Sequence, residues 1–303
     1  MQQWHSTYHG SFCEHNRKNG ILSPAGAIMQ NTSPRAWPWS AAGSPEPYPE
    51  QAWVQNLRTM FGIELNNDIK QQTKVTGDEL LDWLAECTVT LEDEEIKLGE
   101  WLSANGKSAV ADRTPFLLCG ELANPYRLVD LGISGMPIIP VRMDGICRVW
   151  TDVIDGREVQ PGIHHVTLAR TTGWWETTWM GFADKEQARI MTEWLNDGRG
   201  TAWRWAKLAE GEISIHFGGA LYSPEHNQIS WDGECESIHI EPPKITGPII
   251  ERSRVRAILF TKQGCYDNRG KLARCANIKQ RQFHAEMFRR GSAGIWNEII
   301  DIE

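Results

Sequence analysis

IHHVTLARTTGWWETTWMGFADKEQARIMTEWLND, residues 163–197, is the stretch whose reading decides the fold. Ile163 to Arg170 and Trp174 to Phe182 are rich in β-branched and aromatic residues, which suit the pleated, half-buried surface of a strand. Thr171-Thr172-Gly173 between them reads as a tight turn, so the two runs are expected to pair as a hairpin. Asp184 and Gln187 then form a capping box, satisfying the first free N–H groups of a helix. Its apolar stripe is Ala188, Met191, Trp194 and Leu195, and Asn196-Asp197-Gly198 stops it.

Strand, strand, helix in that order predicts a ferredoxin-like (RRM-like) ββα unit. Downstream, residues 212–217, 237–240 and 252–260 read as further strands, and 115–170 alternates short aliphatic runs with Gly and Pro in the same manner. Upstream the texture changes. Trp53, Val54, Leu57, Met60 and Phe61 fall at helical spacing over 50–61, and Thr76 with Glu79 caps a second helix bearing Leu80, Leu81, Trp83 and Leu84. Residues 91–102 read as a further, charged helix. The first 50 residues carry six of the 15 prolines together with Trp4, Trp37 and Trp39, an irregular segment that needs a partner surface to become ordered. The expected fold class is α+β: a mainly helical N-terminal portion within 1–110, then a β-rich domain over 111–303 with a basic C-terminal region.

The chain has 303 residues, 41% hydrophobic and 23% charged, which excludes collagen-like, wholly disordered and coiled-coil classes. No apolar run approaches the ~20 residues of a membrane helix and no basic-then-apolar leader opens the sequence, so no membrane partner and a cytoplasmic location are expected. Seven cysteines (13, 87, 119, 147, 235, 265 and 275) are scattered and never spaced Cys-x-x-Cys, indicating neither a disulfide framework nor a cysteine-rich zinc site.

Charge is distributed unevenly. From Asp78 to Glu100 nine carboxylates stand against Lys97 alone, so that one stretch equals the whole net charge of −8. From 252 to 290 eleven cations stand against Asp267 and Glu286: Arg252, Arg254, Arg256, Lys262, Arg269, Lys271, Arg274, Lys279, Arg281, Arg289 and Arg290. Phe260, Tyr266, Phe283 and Phe288 are interleaved with them. Lys and Arg displace the counterions of a phosphate backbone while aromatic faces accept unstacked bases, so this pattern is what a nucleic-acid surface requires. Arg252, Arg254 and Arg256 are expected to alternate along one strand and share a face. A solvated basic face, or one that meets the acidic block within the fold or between copies, is the alternative.

Phosphate-binding, dinucleotide and nucleophile-elbow motifs are absent, which disfavours P-loop ATPases, kinases and α/β-hydrolases. His5, His9, Cys13 and His15 are four potential metal ligands within eleven residues, but their spacing matches no known motif, and no metal or cofactor is assigned. Glu95-Ile96-Lys97 with Asp78 or Asp82 is similar to the carboxylate-x-lysine metal site of many nucleases. His284-Ala285-Glu286 copies half of the zinc deaminase signature, yet Cys265 and Cys275 both precede it, which excludes that chemistry. His165-Val166-Thr167-Leu168 resembles one His-x-Thr motif of the two-histidine phosphoesterases, and His5-Ser6-Thr7 is the only other literal copy. That resemblance implies that His165 is a general acid or base and that Thr167 binds phosphate. His165 and Thr167 share one face of their strand, opposite His164, Val166 and Leu168.

The expected function is non-catalytic binding of RNA or single-stranded DNA through 252–290, as a subunit of a larger nucleoprotein assembly such as an RNA-guided defence complex. Its other partners would be protein subunits or further copies of the chain. The alternatives are a phosphodiesterase or nuclease using His165 and Thr167, and a structural or capsid-type assembly protein.

Overall fold

Pro137–Asp155 and Ile163–Ala183 are antiparallel strands of 19 and 21 residues that form the spine of the protein. The computed structural model describes residues 43–46, 48–56, 59–91, 94–155, 162–197, 202–218, 221–232, 236–261, 265, 271–286 and 300. Its strands in chain order are β1 (Trp53–Asn56), β2 (Thr59–Glu64), β3 (Lys74–Val75), β4 (Thr88–Leu91), β5 (Glu94–Lys97), β6 (Thr114–Leu118), β7 (Pro137–Asp155) and β8 (Ile163–Ala183). They continue with β9 (Trp203–Lys207), β10 (Glu212–Ile215), β11 (Ile229–Trp231), β12 (Glu236–Ile238), β13 (Ile249–Ile250) and β14 (Arg256–Phe260). The helices are α1 (Gly77–Glu86), α2 (Leu98–Ala104), α3 (Pro125–Asp130), α4 (Lys185–Asn196) and α5 (Gln280–Glu286).

Among the described residues, twelve strands make one mixed sheet. Its main path runs β5-β4-β2-β1-β7-β8-β6-β14-β9, while β10 pairs with β7 and leads through β13 to β3. The pairs β13–β3 and β14–β6 are parallel and the rest antiparallel. Because β1 pairs with β7, and β3 with β13, strands from before and after residue 110 share this sheet. The hairpin β11–β12 stands apart as a two-stranded sheet.

This corrects the expected α+β class with its mainly helical N-terminal portion. Of the described residues 28% are helical and 41% lie in strands, and 53–97 contributes five strands. The 50–61 stretch is the β1–β2 hairpin, with Trp53 opposite Gly62 and Val54 opposite Phe61. Both faces of this hairpin are covered: Trp53 and Met60 enter one core, Val54 and Ile63 the other. A strand buried on both faces loses its two-residue alternation, and its apolar run then mimics helical spacing. The 91–102 stretch likewise divides into strand β5 and the short helix α2.

The ββα unit is corrected too. Residues 163–183 are one strand, and Thr171-Thr172-Gly173 marks a bulge in it instead of a hairpin turn. Asp144 faces Trp175 and Ile146 faces Arg170, so two steps along β7 correspond to five along β8. The surplus β8 residues are accommodated by Gly173, whose φ of +76° lies in the left-handed region that glycine adopts without steric cost. The turn chemistry was therefore legible, but it kinks a continuing strand. The helix that follows is as expected: Asp184 and Gln187 form the reciprocal capping box, and Asp197 at φ 50° closes α4. The Thr76–Glu79 box of α1 is also formed.

Helices cover both faces of the sheet. Leu80, Leu81, Trp83 and Leu84 of α1 and Leu98, Trp101 and Leu102 of α2 pack with Val141, Met143, Val166, Leu168 and Met180 on one side. On the other, Tyr126 and Leu128 of α3 and Ala188, Met191, Trp194 and Leu195 of α4 pack with Trp53, Phe116, Ile138 and Trp203. Such burial contributes about 25 cal/mol per Å² of apolar surface, which is why nearly every residue of β7 and β8 can afford to be apolar or paired. No helix among the described residues is long and apolar enough to cross a membrane.

Candidate functional site

His165 and Thr167 lie, as the alternation requires, on the face of β8 that meets α4. His165 is 4% exposed, with its ring edge-on to Trp194 at 4.9 Å and to Trp203 at 5.7 Å. Thr167 is 2% exposed, and its hydroxyl accepts the Phe260 backbone N–H at 3.1 Å. Both groups are thus built into the packing between sheet and helix. His5, Ser6 and Thr7, the second His-x-Thr copy, fall outside the described residues, as do His9, Cys13 and His15.

The opposite face of the same strand assembles a pair that sequence spacing did not reveal. His164, buried beside Phe283, approaches the Thr151 carbonyl through Nδ1 at 2.7 Å and His284 Nδ1 through Nε2 at 2.9 Å. A carbonyl oxygen can only accept, so Nδ1 of His164 carries the proton and its Nε2 offers a lone pair. Nδ1 of His284 must then donate. Burial, reinforced by neighbouring His284, pulls the pKa of His164 down to about 4 against the pull of its backbone bond, which keeps the ring neutral near pH 7. The consequence is a fixed tautomer for His284, whose Nε2 is the basic nitrogen in the neutral ring. His284 is half-buried on α5, which is anchored by the fully buried Phe283 and by Gln280 donating to the Gly162 carbonyl. The two histidines are 120 residues apart in sequence, and nothing in either motif announced the other.

The predicted basic surface divides. Arg252–Arg254 is a 3-10 turn preceding β14, so the expected alternation of Arg252, Arg254 and Arg256 on one strand is corrected: only Arg256 lies in the strand. Arg254 pairs with Asp78 at 2.8 Å in an exposed ion pair, a direct contact between the basic and acidic blocks. Its aliphatic stem lies over Gly77, where an added Cβ would come within 2.2 Å of Cγ. Arg274 is buried, paired with Glu236 and stacked over Trp174 at 4.9 Å. Lys279 is exposed, with Glu46 3.9 Å away; Arg281 is exposed, and Lys271 is half-buried. Lys262, Arg269, Arg289 and Arg290 lie outside the described residues, with Tyr266 and Phe288.

Arg252 and Arg256 form a different class. Arg252 Nη1 donates to the Gly211 carbonyl at 3.2 Å, and Arg256 Nη1 to the Ser253 carbonyl at 3.0 Å. Carbonyl acceptors orient a guanidinium without cancelling its charge. Arg256 sits directly opposite Lys207 of the edge strand β9, and the neighbouring β9 residue on that face, Trp205, is 44% exposed. Trp205 is held edge-on to Phe116 at 5.6 Å and by an indole bond to the Thr192 hydroxyl. A fixed aromatic face beside the oriented guanidinium of Arg256 can accept a stacked base and its phosphate.

A further group of buried titratable side chains lies near the bulge. Arg148 pairs with Glu176, whose Oε1 accepts the Arg148 backbone N–H at 2.5 Å and whose Oε2 is 3.4 Å from the guanidinium. Burial pushes the Glu176 carboxyl up, against the opposing pull of Arg148. Burial likewise drives the thiols of Cys119, Cys147 and Cys265 up to about 12, so near pH 7 they are protonated, poor nucleophiles. No cluster of three or more potential metal ligands occurs among the described residues, and Glu95, Asp78 and Asp82 form none. Comparison with protein-family models, curated proteins and solved structures finds no match to this chain.

Proposed function

We propose that the protein binds a single strand of RNA or DNA without cleaving it, as a subunit of a larger nucleoprotein assembly. The observation that carries this reading is the pair Arg252 and Arg256, two guanidinium groups oriented by backbone carbonyls, with Arg256 on the sheet face that carries the exposed Trp205. Arg254 and Arg274, by contrast, have their charge met by carboxylates within the fold. The contact surface is therefore narrower than the full 252–290 block and includes a β9 residue. The test is anisotropy titration of a labelled 20-nucleotide single strand across a salt series. Each phosphate contact on a single strand contributes a slope of about 0.7 in log K against log salt, so Arg252→Glu with Arg256→Glu should flatten the slope by about 1.4. An unchanged slope with a folded variant would remove the proposal.

A second reading, phosphodiester cleavage, rests on the His164–His284 pair. General base catalysis requires a nitrogen of defined tautomer, and the chain from the Thr151 carbonyl through His164 supplies one at His284. His284→Ala should then abolish cleavage of RNA or a cyclic phosphate by the full chain, and a wild type inactive across such a panel excludes it.

A further inference from the structure

Arg281 and His284 stand three residues apart on α5, so their side chains are neighbours on the helix surface, with Cβ atoms about 5–6 Å apart. Arg281 is exposed and His284 half-buried. Among the described residues Arg281 has no ion pair and no side-chain hydrogen bond. Glu286, the acidic residue of the same helix, falls two positions beyond His284 and so on a different side, where the Gln282 amide approaches its carboxylate at 3.4 Å. Phe283 and Gln280, both buried, hold α5 against the His164 ring and the Gly162 carbonyl, so the pair is carried by an anchored element.

The chemistry of the histidine is fixed by its neighbour. Nδ1 of His284 donates to His164, whose own Nδ1–H is committed to the Thr151 carbonyl. The remaining nitrogen of the neutral His284 ring, Nε2, therefore carries a lone pair and no proton, and it can only accept. A guanidinium can only donate. Together they select a partner that offers a hydroxyl donor next to an anion. A phosphodiester oxygen is an acceptor and cannot satisfy Nε2, and deoxyribose adds no donor. Base N–H groups donate, but they lie across the sugar from the phosphate. In RNA the 2′-hydroxyl donates from the carbon beside the one that carries the 3′-phosphate, and it is the group by which a protein tells RNA from DNA.

We infer that Arg281 and His284 read the ribose of a bound strand, Arg281 holding a phosphate and His284 Nε2 accepting a hydrogen bond from the adjacent 2′-hydroxyl, so that the protein prefers RNA to DNA. This inference rests on the single-strand reading and narrows its substrate class. It uses residues distinct from Arg252, Arg256 and Trp205.

The experiment is anisotropy titration of the full chain at pH 8 with 20-nucleotide strands of one cytosine-and-adenine sequence, made as RNA, as DNA and with 2′-fluoro sugars, which keep the RNA-like pucker and lack the donor. Wild type should bind RNA roughly 3- to 10-fold more tightly than either of the others, the effect of one hydrogen bond. His284→Ala should bring the RNA affinity down to that of the 2′-fluoro strand, and circular dichroism establishes that the variant folds. Arg281→Ala should weaken all three strands and reduce the salt slope by about 0.7. The comparison of strands on wild type needs no variant. Equal binding of RNA and the 2′-fluoro strand would overturn this inference alone, as would a folded His284→Ala that keeps the full preference or an Arg281→Ala with the wild-type slope. Failure to bind any of the three strands would overturn the single-strand reading, and this inference with it.

Discussion

His164 Nε2 and His284 Nδ1 meet at 2.9 Å and fasten helix α5 to the start of β8. Among the described residues, the groups in contact with His164 are the Thr151 carbonyl, His284 and the ring of Phe283, none of which is an anion. The folded state therefore resists protonation of His164, whose pKa falls to about 4 from the ordinary 6.5 through burial above all. The unfolded chain takes up this proton first. Stability is then complete above about pH 6.5 and declines as pH falls toward 4, a difference on the order of 3 kcal/mol at 1.36 kcal/mol per pH unit. Urea midpoints of wild type and His164→Gln from pH 7 to 4.5 should converge as pH drops. Parallel curves would refute this account.

Arg148 and Glu176 give a prediction of opposite character. Glu176 is buried and Arg148 is 12% exposed, with its guanidinium also lying over Trp179 at 5.4 Å and Tyr48 at 5.8 Å. Removing one partner strands the other charge in a low-dielectric site. Glu176→Gln should cost about 3–5 kcal/mol in chemical denaturation, whereas replacing both by apolar residues of similar volume should recover most of the loss. A single variant as stable as wild type would show that Glu176 is protonated in the fold.

Where local chemistry acts alone, the sequence was readable. The boxes Thr76–Glu79 and Asp184–Gln187 start helices where their spacing says they should, and alternation along β8 separates His165 and Thr167 from His164. Local chemistry could not say whether Thr171-Thr172-Gly173 reverses the chain or bulges it, because that depends on β7 continuing alongside. It also could not identify 50–61 as strand, since burial on both faces erases the alternation. The His164–His284 pair and the placement of Trp205 beside Arg256 depend on tertiary contacts alone, as do the pairings of Arg254 with exposed Asp78 and of buried Arg274 with Glu236.

Gly77 opens α1 beneath the stem of Arg254, with Cβ positions 2.2 and 2.7 Å from Cγ and Cβ of that arginine. Gly to Ala in a helix ordinarily stabilises by up to about 1 kcal/mol. Here the arginine would have to swing away and leave Asp78, so Gly77→Ala should be neutral or destabilising. In an Arg254→Ala background the same change should stabilise. Thermal unfolding of the four proteins of this cycle checks it, and additive effects would mean that the two sites do not press on each other.

Trp205 supplies the last prediction, which separates stacking from charge. Base stacking on an aromatic residue contributes about 1–3 kcal/mol, independent of salt, whereas phosphate contacts appear in the salt slope. Trp205→Ala should therefore weaken single-strand binding by roughly 5- to 150-fold by that same 1–3 kcal/mol, with the slope unchanged. Trp205→Phe, which keeps an aromatic face but loses the bond to Thr192, should retain part of the affinity. The matched control is Trp231, equally exposed at 45% but located on the separate β11–β12 hairpin. Trp231→Ala should leave affinity intact. If the two alanine variants weaken binding equally, the strand does not follow the β9 rim. If Trp205→Ala flattens the salt slope as the arginine variants do, its loss has disturbed Arg256 and the ring is acting as a support for that cation.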